Sequence, residues 1–211
     1  IEHSAVDLNT NIKLIWLDDS ASWETEIKKC SGLLVGEGLS HIKNKIKAIK
    51  YARENNIPFL GISFAFDLVL KEYFTNKLKS DIEIGELKEE IGFTRNLSKL
   101  SINNIPLFTG EKKISLLSKS KLYSIYNHTK ISERFRRNTN ISIDLLNNLS
   151  SLKGELLISG VLPLVYQPIS LELVKNKFFI AVAYHPEYLS YPGYPNPLIN
   201  SFIKHAQNYK R

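Results

Sequence analysis

The sequence predicts an α/β fold in which a mostly parallel, doubly wound sheet is flanked by helices and extended by antiparallel strands. Three observations predict it. Strand-like and helix-like patterns alternate from Ile12 to Lys79, as parallel sheets require. An apolar run, Ile57 to Ile62, stops at Ser63 and turns at once into a helical pattern. A second apolar run, Phe178 to Tyr184, ends at His185-Pro186-Glu187.

The elements follow in order. Ile12 to Leu17 reads as a strand. Ser20 to Cys30 reads as a helix with Ser20 as its N-cap, and Gly32 to Val35 as a buried strand. A helix is expected from Ile42 to Asn55, because Ile42, Ile46, Ile49 and Ala52 share one face and Lys43, Lys47 and Lys50 lie on the polar faces. Asn55-Asn56 ends it, and Ile57 to Ile62 is the next strand. Phe64 to Lys79 is then a helix, with Phe64, Phe66, Leu68 and Leu70 leading it. From Ile82 to Leu173 the pattern changes to shorter β-like pieces joined by Asn- and Ser-rich connections. Leu198 to Tyr209 reads as a closing helix. No internal repeat and no second boundary is visible, so one domain spanning 1–211 is expected.

Composition narrows the function classes. The chain has 211 residues, 43% of them hydrophobic, enough for one substantial core. No apolar run reaches the roughly 18 residues a membrane-spanning helix needs, and no signal peptide is recognisable. The lone cysteine, Cys30, excludes an intramolecular disulfide and fits a reducing, cytoplasmic setting; it reads as packing. A net charge of +7 and a pI near 9.3 invite a nucleic-acid reading. Yet the basic residues are spread along the chain, and the densest group, Arg134, Arg136 and Arg137, belongs to no RNP, zinc-finger or helix-turn-helix pattern. A solvated basic surface is the expectation, with no nucleic-acid or membrane partner. Metal-ligand spacing, a P-loop and a dinucleotide fingerprint are all missing, so no cofactor is expected. His3, His41, His128 and His205 have no partner pattern and read as surface residues.

The chemistry concentrates at two places. A strand that ends on a small hydroxyl residue, with Gly61 and Ala65 beside it, has the grammar of a nucleophile elbow. The sharp turn lifts one side chain above the sheet, and close backbone packing demands small neighbours. His185 and Glu187 stand at the end of a second strand, where a base and its orienter would meet that side chain. Each feature also has a bland reading. Ser63 can be a small residue on a tight turn, and His-Pro-Glu in an arbitrary chain is a surface turn.

The run Ala48-Ile49-Lys50-Tyr51-Ala52-Arg53-Glu54-Asn55-Asn56-Ile57-Pro58-Phe59-Leu60-Gly61-Ile62 resembles the glutaminase domain of CTP synthase, a class I glutamine amidotransferase. Three further stretches are similar to the same family in the same order. They are Ile131-Ser132-Glu133-Arg134, Ile158-Ser159-Gly160, and the tail from Phe178 through His185-Pro186-Glu187 to Pro192-Gly193-Tyr194-Pro195-Asn196-Pro197-Leu198. The resemblance implies a flavodoxin-like amidotransferase domain with Ser63, His185 and Glu187 at the triad positions. In that family a strand and turn precede the helix that Ile1 to Val6 completes. The chain starts on Ile1 and contains no methionine, so it reads as a processed or partial sequence lacking a first strand.

Measured against the resemblance, several positions have changed. The family's elbow reads Cys-Leu-Gly-Met-Gln, whereas this chain has Ser63-Phe64-Ala65-Phe66-Asp67. A thiol beside a histidine ionises readily and a serine hydroxyl does not. Ala65 adds a methyl group where a glycine stood, and Asp67 puts a carboxylate where a glutamine helps bind substrate. The family's glycine-rich oxyanion loop corresponds to Val35-Gly36-Glu37-Gly38, and an inward Glu37 would repel a developing oxyanion. The arginine that pairs with the glutamine carboxylate falls on Asn138, which cannot make a bidentate charged contact. Glu86 matches the carboxylate for the substrate amino group.

Three functions are therefore expected in competition. The first is a glutaminase-like domain with little or no glutamine hydrolysis. The family context would give it glutamine or a related small molecule as ligand, and a synthetase subunit or a second copy of itself as partner. The second is an active Ser-His-Glu amidase or esterase on another substrate. The third is a non-catalytic regulatory or binding subunit that keeps the fold as scaffold.

Overall fold

A computed structural model describes residues 1–17, 22–38, 40–78, 108–137, 155–163 and 166–209. In chain order the elements are α1 (Glu2–Asp7), α2 (Trp23–Ile27), β1 (Leu33–Val35), α3 (Ile42–Glu54) and β2 (Phe59–Ile62). Next come α4 (Phe64–Glu72), which runs into a π-helical turn at Tyr73–Lys77, then β3 (Phe108–Leu116) and α5 (Lys121–Tyr126). They are followed by β4 (Lys130–Arg137), β5 (Leu156–Leu162), β6 (Gln167–Leu173) and β7 (Phe179–Val182). A 3₁₀ turn at Pro186–Leu189 leads to α6 (Pro197–Gln207). The seven described strands form one sheet in the order β1-β2-β7-β6-β5-β3-β4.

The expected parallel core is β1, β2 and β7, paired in parallel along Leu33↔Phe59 and Phe59↔Phe179. All remaining described pairings are antiparallel, so the added strands outnumber the core ones. Every residue of β2 and of β7 is buried, as expected of strands covered on both faces. On α3, Ile46, Ile49 and Ala52 are buried and Ile42 is half-buried, with its lysines toward solvent, as the helical spacing requires. Asn55 is the C-cap, one residue past the helix. The buried Glu72 of α4 receives two bonds from Arg53 of α3, at 2.9 and 2.7 Å, locking the two helices together.

Several expectations need correction. Ile12 to Leu17 forms no strand, and Leu14 and Trp16 stand 49% and 91% exposed. A strand needs a neighbour for its backbone groups, and the sheet ends at β1 without pairing this segment. Helix α2 is shorter than expected, beginning after Ser22 without a side-chain cap bond; Ser20 lies outside the described residues. So does Lys79, the expected end of α4. His3 and His205 are half-buried rather than superficial: His3 Nδ1 pairs with Ser190 Oγ at 3.2 Å, and His205 Nδ1 bonds the Ser201 carbonyl at 2.8 Å. No helix among the described residues is long and apolar enough to cross a membrane.

Candidate active site

Ser63 links β2 to α4 with φ 59° and ψ −116°, a conformation that L residues with a side chain rarely adopt. It is buried, 3% exposed. Two backbone bonds hold the turn: the Ser63 N–H donates to the Val182 carbonyl at 2.8 Å, and the Phe66 N–H donates to the Ser63 carbonyl at 3.0 Å. The small neighbours have the expected reason. A Cβ on Gly61 would meet Phe59 Cε1 at 3.1 Å, Ala181 Cβ at 3.2 Å and Ala65 Cβ at 3.3 Å. Helix α4 therefore starts hard against β2 and β7.

The bond from Ser63 to Val182 also ties the elbow to the strand that leads to His185. Beyond β7 the chain passes through the fully buried Tyr184, and the His185 N–H donates to the Arg134 carbonyl of β4 at 2.8 Å. The imidazole is buried and stacks on Tyr188, with ring centroids 4.6 Å apart and planes 6° from parallel. Its Nδ1 lies 2.6 Å from Glu187 Oε1. A carboxylate can only accept, so Nδ1 carries the proton. Nε2 is buried with no hydrogen-bond partner among the described residues, so Ser63 does not bond to it. Glu37 Oε2 lies 3.8 Å from it.

Burial pushes the His185 pKa down, but the Glu187 bond and charge outweigh it, helped by the charge of Glu37 and the Arg136 carbonyl. The net position is above the ordinary 6.5. Glu37 thus points toward the site. Its loop is fixed by Lys45, whose Nζ donates to the Gly38 carbonyl at 2.8 Å, and by Gly38, whose φ of 124° suits only glycine. Gly36 is under no such constraint, since a Cβ there would meet nothing within 4 Å. Phe64 is half-buried at the start of α4, and Asp67 is buried in its first turn. Glu86 and Asn138 lie outside the described residues.

Sequence reasoning missed a second polar group behind the histidine. Glu133 of β4 is 1% exposed, and its Oε1 accepts from Tyr126 Oη at 2.6 Å and from Asn196 Nδ2 at 2.9 Å. Asn196 Oδ1 in turn accepts from the Leu198 N–H at 2.9 Å, capping α6, with Pro197 at its first position. Glu133 therefore fastens the far end of the loop that begins at His185. Burial drives its pKa from 4.5 up to about 7, against the Tyr126 and Asn196 bonds and with the Glu187 charge. A signal for this group was present, because an acidic residue inside the apolar-alternating run Ile131 to Phe135 needs partners.

Comparisons with known proteins give the family and the fold. The sequence model of the family "Glutamine amidotransferase class-I" matches residues 1–205. The CTP synthase of Phytoplasma australiense is 34% identical over 98% of this chain and 39% of its own length. That of Sulfolobus acidocaldarius is 33% identical over 98% of the chain and 41% of its own length. The chain thus spans about two fifths of the relatives it matches. A structure described as the glutaminase domain of Trypanosoma brucei CTPS with bound acivicin superposes with a TM-score of 0.82 at 22% identity, covering 100% of this chain and 86% of that one. A glutamine amidotransferase from Methylobacillus flagellatus has the same fold at a TM-score of 0.54, 10% identity, and 99% and 86% coverage. With an elbow, a histidine–carboxylate pair and a family match over nearly its whole length, this chain belongs to the class-I glutamine amidotransferases and stands among the CTP synthase homologues.

Proposed function

We propose that this chain is a CTP-synthase-type glutaminase-like domain that keeps the frame of the active site but hydrolyses little or no glutamine. The observation that carries the reading is serine on the strained elbow, at φ 59°, with no hydrogen bond to Nε2 of His185. Glutamine hydrolysis in this family resemblance runs through a thioester formed by a cysteine. A serine hydroxyl needs a base in contact to remove its proton, and among the described residues no hydrogen bond joins Ser63 to Nε2 of His185. The altered carboxylate anchor at Asn138 and the buried Asp67 act in the same direction. The relatives called CTP synthase are more than twice as long, which supports a synthetase partner that would use ammonia, with self-association as the other arrangement. Purified protein should release ammonia from glutamine at background rate. Turnover in the roughly 1–10³ s⁻¹ range of ordinary enzymes would overturn the reading.

One observation favours a second reading, a serine hydrolase on another substrate: the 2.6 Å bond between His185 and Glu187 is the base–orienter half of a triad. Rapid, Ser63-dependent labelling by a fluorophosphonate probe would select it.

A further inference from the structure

We propose that Glu37 is a built-in blocking residue: its carboxylate occupies the approach to His185 Nε2 that a nucleophile's hydroxyl needs, and so takes the base away from Ser63. The inference deepens the low-turnover reading and rests on it. An imidazole has two nitrogens, and here each faces a carboxylate. Nδ1 is held by Glu187 at 2.6 Å, and Nε2 faces Glu37 at 3.8 Å with no hydrogen-bond partner among the described residues. To act as a general base, His185 must present a lone pair on Nε2. Two flanking anions raise the share of rings that carry a proton on both nitrogens, and a ring in that form has no lone pair to offer. Among the described residues, the groups around the ring come from three places. Its own turn supplies Glu187 and the stacked Tyr188, β4 supplies the main chain of Arg134 and Arg136, and the loop after β1 supplies Glu37. Glu133 of β4 acts at one remove, through the charge of Glu187.

The placement of Glu37 is built rather than incidental. Lys45 grips the next residue's carbonyl at 2.8 Å, and the left-handed φ of Gly38 turns the loop there. The Glu37 side chain remains about half exposed, so replacing it disturbs no core contact.

Glu37→Gln and Glu37→Gly test the role in the full chain. Across a pH series, NMR of the His185 imidazole should show roughly fivefold weaker proton affinity in both variants, the size of one half-screened charge at this range. Fluorophosphonate labelling of Ser63 at neutral pH should accelerate by a similar factor in both. Unchanged titration, or labelling no faster than in the unaltered chain, overturns the blocking role. The two readings fail separately. Ammonia release by the unaltered chain overturns low turnover, whereas equal titration and labelling in all three proteins overturns the block even when ammonia release stays absent.

Discussion

On the β1-β2-β7 side the sheet is dry, whereas the β6-β5-β3-β4 side carries buried charge. Strands β2 and β7 bury every residue, and Phe59 stacks on Phe179 with centroids 4.4 Å apart. Across the sheet, Glu133 and Glu172 are 1% and 2% exposed and each is answered locally. Glu172 accepts from the N–H groups of Lys121 and Leu122 at 2.9 and 3.3 Å, closing the start of α5. Glu133 ties β4 to Tyr126 of α5 and to the cap of α6. The difference assigns separate duties. The strands of the dry half set where Ser63 and the path to His185 lie, through packing that does not titrate; the buried charges on that side, Asp67, Lys71 and Glu72, sit on α4. The charged half sets the electrostatics behind His185, through groups that do.

The largest test breaks the dry half. Phe59, on the elbow strand itself, is completely buried and stacks on Phe179 of the parallel neighbour β7. Phe59→Ala should cost about 3–5 kcal/mol, from lost apolar burial plus an incompletely collapsed cavity. Urea unfolding measures this. A cost below about 1 kcal/mol would mean that the position of the elbow is not set by this packing.

The next test separates the halves by pH. Glu133 has a folded pKa of about 7 against 4.5 for the free group. An acid whose pKa rises on folding binds its proton more tightly in the native state. Stability is therefore lost as pH rises from 4.5 to about 7, and stays lost above that. The linkage amounts to on the order of 3 kcal/mol. Glu133→Gln keeps an acceptor for Tyr126 and Asn196 but cannot ionise. The variant should match the unaltered protein at the acid end of that window and exceed it above pH 7. His185, whose pKa is also raised, loses its own contribution above 6.5 in both proteins, so the difference between them isolates Glu133. A difference that does not change with pH would show that Glu133 keeps its charge in the fold.

Those halves were not equally readable. The dry half was legible almost residue by residue, because continuous apolar runs and a 3.6-residue stripe are local signals. The strands at Phe59–Ile62 and Phe179–Val182 and the helix Ile42–Glu54 lie inside the expected limits. Ile12 to Leu17 shows where that signal fails: the segment forms no strand although β1 stands at the edge of the described sheet, so local apolar character alone does not bring about pairing. At the site, the His185–Glu187 pair could be read from two-residue spacing at a strand end. The inward turn of Glu37 was a conditional expectation, since nothing local says which way a loop carboxylate points. The bond between Asn196 and Glu133 joins residues 63 positions apart, and no periodicity encodes it.

The smallest test sharpens the comparison at the elbow itself. Ser63 holds φ 59° and ψ −116°, and strain of this kind costs on the order of 1–3 kcal/mol. The dry half imposes it, through the Ser63 N–H bond to Val182 and the contact of Ala65 with Gly61. Glycine adopts this conformation without a Cβ penalty but gives the unfolded chain more freedom, which offsets roughly 0.5–1 kcal/mol of the relief. Ser63→Gly should therefore stabilise the protein by about 1 kcal/mol, seen as a higher urea midpoint at unchanged slope. The same substitution removes the hydroxyl and must abolish fluorophosphonate labelling. Stability and residual chemistry then move in opposite directions at one residue, as expected of a turn kept for a nucleophile. If Ser63→Gly destabilises instead, the serine side chain is itself part of the packing, and the elbow holds its shape without stored strain.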